Sequence, residues 1–225
     1  MFDASTSMDV SLIAPASAAS SLEAPPAPPA TSRAKRAVDL IMSLSALIVM
    51  APLLILIALL IRLESPGPAI FRQKRGGLNG RPFVIYKFRT MYVQEDGASI
   101  RHAKRNDSRV TKLGSVLRRT SLDELPQLLN VLRGDMSIVG PRPHALAHDQ
   151  YYGAILPDYH GRCACKPGLT GLAQVRGYRG DIADIKDMKL RVACDLAYIR
   201  SWSIALDIKL ISNTLNRLPF DRSAY

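Results

Sequence analysis

Cysteine is scarce in this chain, with three in 225 residues, at positions 163, 165 and 194. So small and odd a set excludes a disulfide framework and fits a reducing compartment. Aromatic residues make up only 6%. No stretch interleaves them with lysine and arginine, so a stacking platform for single-stranded nucleic acid is missing. Acids are outnumbered, 19 against 30 Lys and Arg, which leaves a formal net charge of +11. That surplus calls for an acidic partner, and anionic lipid or phosphorylated substrates explain it better than nucleic acid does. There is no internal repeat. No basic segment followed by an apolar core opens the chain, so a signal peptide is not read there.

The length is that of one domain. Residues 1–32 are rich in Ala, Ser and Pro and end in Pro25-Pro26-Ala27-Pro28-Pro29, the composition of a disordered tail. Residues 33–62 are different. After Arg33, Lys35 and Arg36 comes a run from Ala37 to Ile61 whose polar members are Asp39, Ser43 and Ser45. About 20 such residues cross a bilayer. Basic residues flank the run on both sides, with Arg62, Arg72, Lys74 and Arg75 following it. Cytoplasmic flanks carry the positive charge, which argues for both ends on one side. Pro52, near the middle, removes a helical hydrogen bond and favours a break. Three readings stand: a re-entrant hairpin broken at Pro52, a tilted single span, and a wholly buried core helix.

Residues 63–225 form the rest. Ala69–Arg72 and Pro82–Phe88 read as short strands around a glycine-rich turn. Lys87 and Arg89 alternate with aromatics, so both could face one polar cleft; a solvated strand face is the alternative. Residues 94–109 read as a surface loop. Val110–Leu117 is a short helix candidate. Residues 183–200 and 204–218 step at three to four, the period of amphipathic helices.

The most informative stretch is Ser121-Leu122-Asp123-Glu124-Leu125-Pro126-Gln127-Leu128. Leu125, Leu128, Leu129 and Leu132 give a helix with one buried face. Ser121 with Glu124 has the form of a capping box, whereas Pro126 argues for a start nearer Asp123. Either way, two carboxylates lie in the first turn, beside free N–H groups and the positive end of the dipole. With Arg118 and Arg119 just before them, they make a place to hold a phosphate, a divalent metal, or both. The plainer reading is two acids that merely start a helix.

Downstream, Gly140-Pro141-Arg142-Pro143 holds Arg142 on a stiff backbone, where its fork can grip an anion at low entropic cost. A structural turn is the alternative. Lys166-Pro167-Gly168-Leu169-Thr170-Gly171 is a glycine-hinged loop that a nucleotide could approach closely. His144 and His148 are four apart, which suits two metal ligands on one helix turn, but Cys163 and Cys165 lack the C-x2-C spacing of ordinary zinc sites.

As an ordered set, these motifs resemble the bacterial sugar transferase family of small monotopic phosphoglycosyl transferases, over about residues 33–215. The residues that carry the resemblance are Tyr86-Lys87-Phe88-Arg89-Thr90-Met91, Leu117 to Leu128, Arg133 to Pro143, and Lys166 to Gly171. The resemblance implies a mostly helical α+β fold. A re-entrant membrane helix-break-helix would be followed by a small cytoplasmic globule with short strands and amphipathic interfacial helices. It implies transfer of a sugar-1-phosphate from a UDP-sugar to undecaprenyl phosphate, releasing UMP, at the bacterial inner membrane. This is the first membrane step of exopolysaccharide, capsule or glycan synthesis. Asp123 would be the nucleophile that carries a phosphosugar intermediate. Glu124 would hold Mg2+, and Lys87, Arg118 and Arg142 would sit near the phosphates. Glucose or galactose would be the sugar, anionic lipids the surroundings, and self-association into a homodimer stays open. The family's break often reads Ser-Pro; here it is Ala51-Pro52. A basic membrane-anchored adaptor without chemistry is the competing class.

Overall fold

The computed structural model describes residues 28–92, 107–178, 180 and 184–217. Most of the loop expected over 94–109 and most of the tail expected over 1–32 lie outside these residues. In chain order the elements are α1 (Pro28–Thr31), α2 (Arg33–Glu64), β1 (Ile70–Gly76), β2 (Pro82–Phe88), α3 (Lys112–Thr120), α4 (Leu128–Arg133), β3 (Ser137–Val139), α5 (Leu146–Ile155), β4 (Gly168–Thr170), α6 (Leu172–Val175), α7 (Ile185–Ser201) and α8 (Ile204–Arg217). Short 3-10 helices cover Leu78–Gly80, Leu122–Gln127 and Tyr159–Ala164. The protein is a mostly helical α+β fold.

β1 and β2 pair antiparallel, from Ile70 opposite Phe88 to Gly76 opposite Pro82. β3 and β4 are short and parallel, with Ser137 beside Gly168 and Val139 beside Thr170. Between the two pairs lies the main core, which includes Ile85, Leu128, Val131, Met136, Tyr198 and Leu210. Asn130 is buried and bridges helix to hairpin, donating Nδ2 to the Val84 carbonyl at 2.7 Å and accepting from the Tyr86 N–H at 3.0 Å. A buried amide with both ends satisfied fixes that contact. The structure also orders the end of the expected tail. Pro28–Thr31 makes one helical turn, Ala30 packs on the core, and Ser32 caps α2 by accepting from the Lys35 N–H.

The helix α2 is long and apolar enough to cross a membrane. Its secondary structure continues through Pro52, so the expected helix-break-helix is one helix. An interior proline lacks its own hydrogen bond and crowds the carbonyl four residues back, which can bend a helix without ending it. Both ends are tied to the globule. At the start, Lys35 bonds Asp207 at 2.6 Å, and Arg36 donates to the carbonyls of Val131 and Leu132 at 2.6 and 2.8 Å. Asp39 accepts from the Ser137 hydroxyl at 3.0 Å and the Ile138 N–H at 2.9 Å. At the far end, Ile57 and Ile61 pack with Phe88 and Leu117, and Glu64 accepts from the Leu113 N–H at 3.0 Å. Between Ser43 and Ile57 no residue is buried. There Ile48, Val49, Ile55 and Leu56 are exposed.

Arg89 does not share the cleft of Lys87, as its alternation suggested. It turns back to the end of α2, donating to the Ser65 carbonyl at 2.7 Å and hydroxyl at 3.0 Å. The last carbonyls of a helix lack partners and carry the negative end of its dipole, so a guanidinium satisfies both needs.

Candidate active site

The approach to the acid pair is built by α3. Thr111 caps it by accepting from the Gly114 N–H at 2.9 Å. Gly114 is needed there, because a Cβ would sit 2.1 Å from the Thr90 carbonyl oxygen. The helix closes at Ser121, whose φ of +60° is left-handed. That conformation costs a non-glycine residue energy and marks a site under constraint. It also corrects the capping-box expectation. The Ser121 side chain makes no cap bond to the helix that follows. Its backbone N–H instead closes α3 on the Arg118 carbonyl at 3.2 Å. From there Leu122–Gln127 runs as a 3-10 helix with Asp123 and Glu124 in its first turn. The second carboxylate is buried, the first half-buried.

The two acids have different surroundings. Glu124 Oε1 accepts from Lys87 Nζ at 2.9 Å and Arg142 Nη2 at 2.6 Å. Its Oε2 accepts from Arg142 Nη1 at 3.1 Å. This is the forked, charge-assisted pairing that arginine makes with a carboxylate. Asp123 accepts no hydrogen bond among the described residues. Burial, and then the Glu124 charge, push its carboxyl up to about 6, against the charges of Lys87, Arg142 and Arg118. At pH 7 and above it is still ionised. Burial lowers Lys87, although the Glu124 charge holds it up. Arg142 is raised, chiefly by Glu124.

So Asp123, Glu124, Lys87 and Arg142 meet in one place, as their motifs suggested. Arg118 stands at the end of α3, half-buried, where its charge reaches Asp123. Pro52 lies elsewhere, exposed on α2.

The glycines of Lys166–Gly171 have a packing role within the fold. A Cβ on Gly168 would sit 2.0 Å from the Gly140 nitrogen, and one on Gly171 2.2 Å from the Gly140 oxygen. They let the loop press against the Gly140-Pro141-Arg142-Pro143 segment. The Gly140 N–H donates to the Thr170 carbonyl at 2.9 Å, and the Gly168 N–H to the Pro141 carbonyl at 2.8 Å.

On the other side of that segment lies a buried network that local sequence did not reveal. Arg162 and Asp195 form an ion pair at 2.7 Å. Tyr159 donates to Asp149 at 2.7 Å and touches His144 Nδ1 at 2.7 Å. Asp195 lies on the amphipathic helix α7, where a charge is usually solvated, so its period alone gave no sign of burial. His144 precedes α5 rather than sharing a turn with His148. The three cysteines are free thiols. Among the described residues no three His, Cys, Asp or Glu side chains cluster as a metal site.

Residues 30–220 match the bacterial sugar transferase family. The chain is 54% identical over 191 residues to the UDP-glucose:undecaprenyl-phosphate glucose-1-phosphate transferase of Caulobacter vibrioides, covering 85% of this chain and 72% of that protein. It is 49% identical over 191 residues to the Escherichia coli protein of the same name, covering 85% of this chain but 41% of that one. It is 48% identical over 185 residues to an exopolysaccharide production protein of Rhizobium leguminosarum, covering 80% and 92%. The chain thus spans less than half of the E. coli relative's length.

Proposed function

The chain belongs to the bacterial sugar transferase family, and from that premise we propose that it is a phosphoglycosyl transferase. It moves a sugar-1-phosphate from a UDP-sugar to undecaprenyl phosphate and releases UMP. The observation that carries this is the division within the acid pair. Glu124 is gripped by two cations, while its neighbour Asp123 is left unbonded among the described residues, ionised and ringed by positive charge.

An unbonded carboxylate beside cations is a competent nucleophile for a phosphate. An Asp123 oxygen attacks the sugar-bearing phosphorus of the donor. The bond from that phosphorus to the bridging oxygen breaks, and UMP leaves with the electron pair. Asp123 then carries the sugar phosphate as an acyl phosphate. An oxygen of undecaprenyl phosphate attacks the same phosphorus, the bond to Asp123 breaks, and the carboxylate is restored. Two anions approach each other only when their charge is screened. Lys87, Arg142 and Arg118 supply fixed positive charge for that.

The acid pair also suits Mg2+. Magnesium takes one or two carboxylates and fills its shell with phosphate oxygens and water. A site with two adjacent carboxylates and, among the described residues, no third His, Cys, Asp or Glu beside them fits that habit. Glu124 would hold the ion by yielding part of its present pairing with Lys87 and Arg142, and the ion would supply further screening of phosphate charge.

Glucose is the sugar proposed first, because the Caulobacter and E. coli relatives carry it in their names. We read α2 as a re-entrant helix that enters and leaves one leaflet, with the globule on the cytoplasmic face of the inner membrane, where UDP-sugars are. Two features support this: both helix ends are tied to one globule, and basic residues flank both ends. UMP release from a panel of UDP-sugars, with undecaprenyl phosphate and Mg2+, tests the reading. If no UDP-sugar is turned over, the chain is a membrane adaptor instead.

A further inference from the structure

We propose that Arg162 is a positioning residue of this site, one that sets Arg142 against Glu124. The inference rests on the enzymatic reading above. Arg162 is buried in the 3-10 helix Tyr159–Ala164. Its Nε and Nη2 donate to Asp195 Oδ2 at 2.9 and 2.7 Å. Nη2 also donates to the Arg142 backbone carbonyl at 2.7 Å, and Nη1 lies 2.8 Å from His144 Nδ1. A guanidinium can only donate. Nδ1 of His144 therefore accepts from Arg162, as a neutral imidazole can. Burial and the charges of Arg162, Arg191, His148 and Arg142 hold His144 well below the ordinary histidine range, which agrees.

One side chain thus clamps both ends of Arg142-Pro143-His144. The two backbone bonds from Gly140 and Gly168 pin the same segment from the opposite side. With its backbone held from both sides, Arg142 presents its guanidinium to Glu124 from a fixed base. A buried ion pair adds little net stability compared with apolar residues of the same shape. The Arg162–Asp195 pair is better explained by what it places than by what it stabilises.

Arg162→Lys tests this. Lysine keeps a charge for Asp195, but a single ammonium cannot copy the fork that reaches both the carbonyl and the imidazole. A misplacement of about 1 Å in a catalytic group costs about a hundredfold. We expect kcat for UMP release to fall roughly ten- to a hundredfold, with KM for the UDP-sugar changing less than about threefold. The decisive measurement is the pair Arg142→Lys and Arg142→Lys/Arg162→Lys, made in the full chain in membranes. If Arg162 acts through Arg142, the double variant loses no more than Arg142→Lys alone. Losses that multiply, or unchanged kcat in Arg162→Lys, overturn the proposal. Should Arg162→Lys fail to fold, Asp195→Asn replaces it. Asparagine keeps an acceptor for Arg162, and the same non-additivity with Arg142→Lys is expected. A wild-type chain inactive on every UDP-sugar brings down the enzymatic reading and this inference with it. An active wild type with multiplying losses brings down the inference alone.

Discussion

Arg142 holds Glu124 with two nitrogens, at 2.6 and 3.1 Å, while Asp123 beside it accepts no hydrogen bond among the described residues. Adjacent acids of one 3-10 turn point into different surroundings, because that helix turns faster per residue than an α-helix. The pair divides into a fixed anion that organises cations and a carboxylate available to react.

Asp123→Asn should abolish UMP release and the covalent sugar-phosphate adduct. The amide is nearly isosteric and breaks no hydrogen bond seen in the fold, so the melting temperature should not fall. Intact-mass spectrometry of the protein mixed with donor alone measures the adduct. Normal turnover in this variant would remove Asp123 from its role.

Glu124→Gln should lower kcat at least a hundredfold and also destabilise the protein. It takes the counter-charge from Lys87 and Arg142 together, and losing a charged hydrogen-bond partner costs about 1–3 kcal/mol. Circular dichroism melts and UMP assays on one preparation separate the two effects. A fully active variant contradicts the assignment.

Lys35→Met should destabilise by roughly 3–5 kcal/mol, because it leaves Asp207 charged and buried without its cation. Tyr198 and Trp202 still donate to Asp207, at 2.8 and 3.1 Å, so Asp207→Asn added to Lys35→Met should recover much of the loss. Thermal unfolding in detergent reads both. A melting temperature equal to wild type in Lys35→Met means that the pair contributes nothing.

His144 gives the pH dependence a sign. Its folded pKa lies well below 6.5, held down first by burial and then by Arg162, Arg191, His148 and Arg142, and Tyr159 and Asp149 share its network. The unfolded chain therefore takes up a proton that the fold refuses. The stability from neutral His144 is complete above about pH 6.5 and drains away as pH falls, by up to about 1.4 kcal/mol per pH unit. His144→Asn keeps an acceptor for Arg162 without titrating. Urea unfolding between pH 7 and pH 5 should show a shallower slope in that variant than in wild type.

Single cysteines placed near residues 33 and 62 should both react with an impermeant maleimide from the cytoplasmic side of inverted vesicles. Labelling from opposite sides makes α2 a span and rejects the re-entrant reading.

Much of this fold was legible in the chain. β2, α7 and α8 follow their alternation or period closely, and Lys87, Asp123, Glu124 and Arg142 meet as their motifs suggested. What escaped has a common cause. Asp39, Asp207 and Asp195 are acids on helices, and a local pattern assigns such residues to solvent. Their burial depends on a cation or a backbone N–H far along the chain. Asp207 finds Lys35 from 172 residues away. The capping box failed because Ser121 was already committed to ending the previous helix. The packing of Gly168 and Gly171 on Gly140 was not legible, because close approach of backbone to backbone and of backbone to ligand demand the same missing Cβ.

The ties at both ends of α2 bear on how the protein meets bilayers of different thickness. A membrane helix usually answers a thicker or thinner bilayer by changing its tilt. Lys35 and Asp39 at one end, with Ile61 and Glu64 at the other, leave α2 no pivot. On the re-entrant reading proposed above, the lipids rather than the protein deform when acyl chains lengthen, and Asp123 keeps a constant height relative to the phosphates of that leaflet.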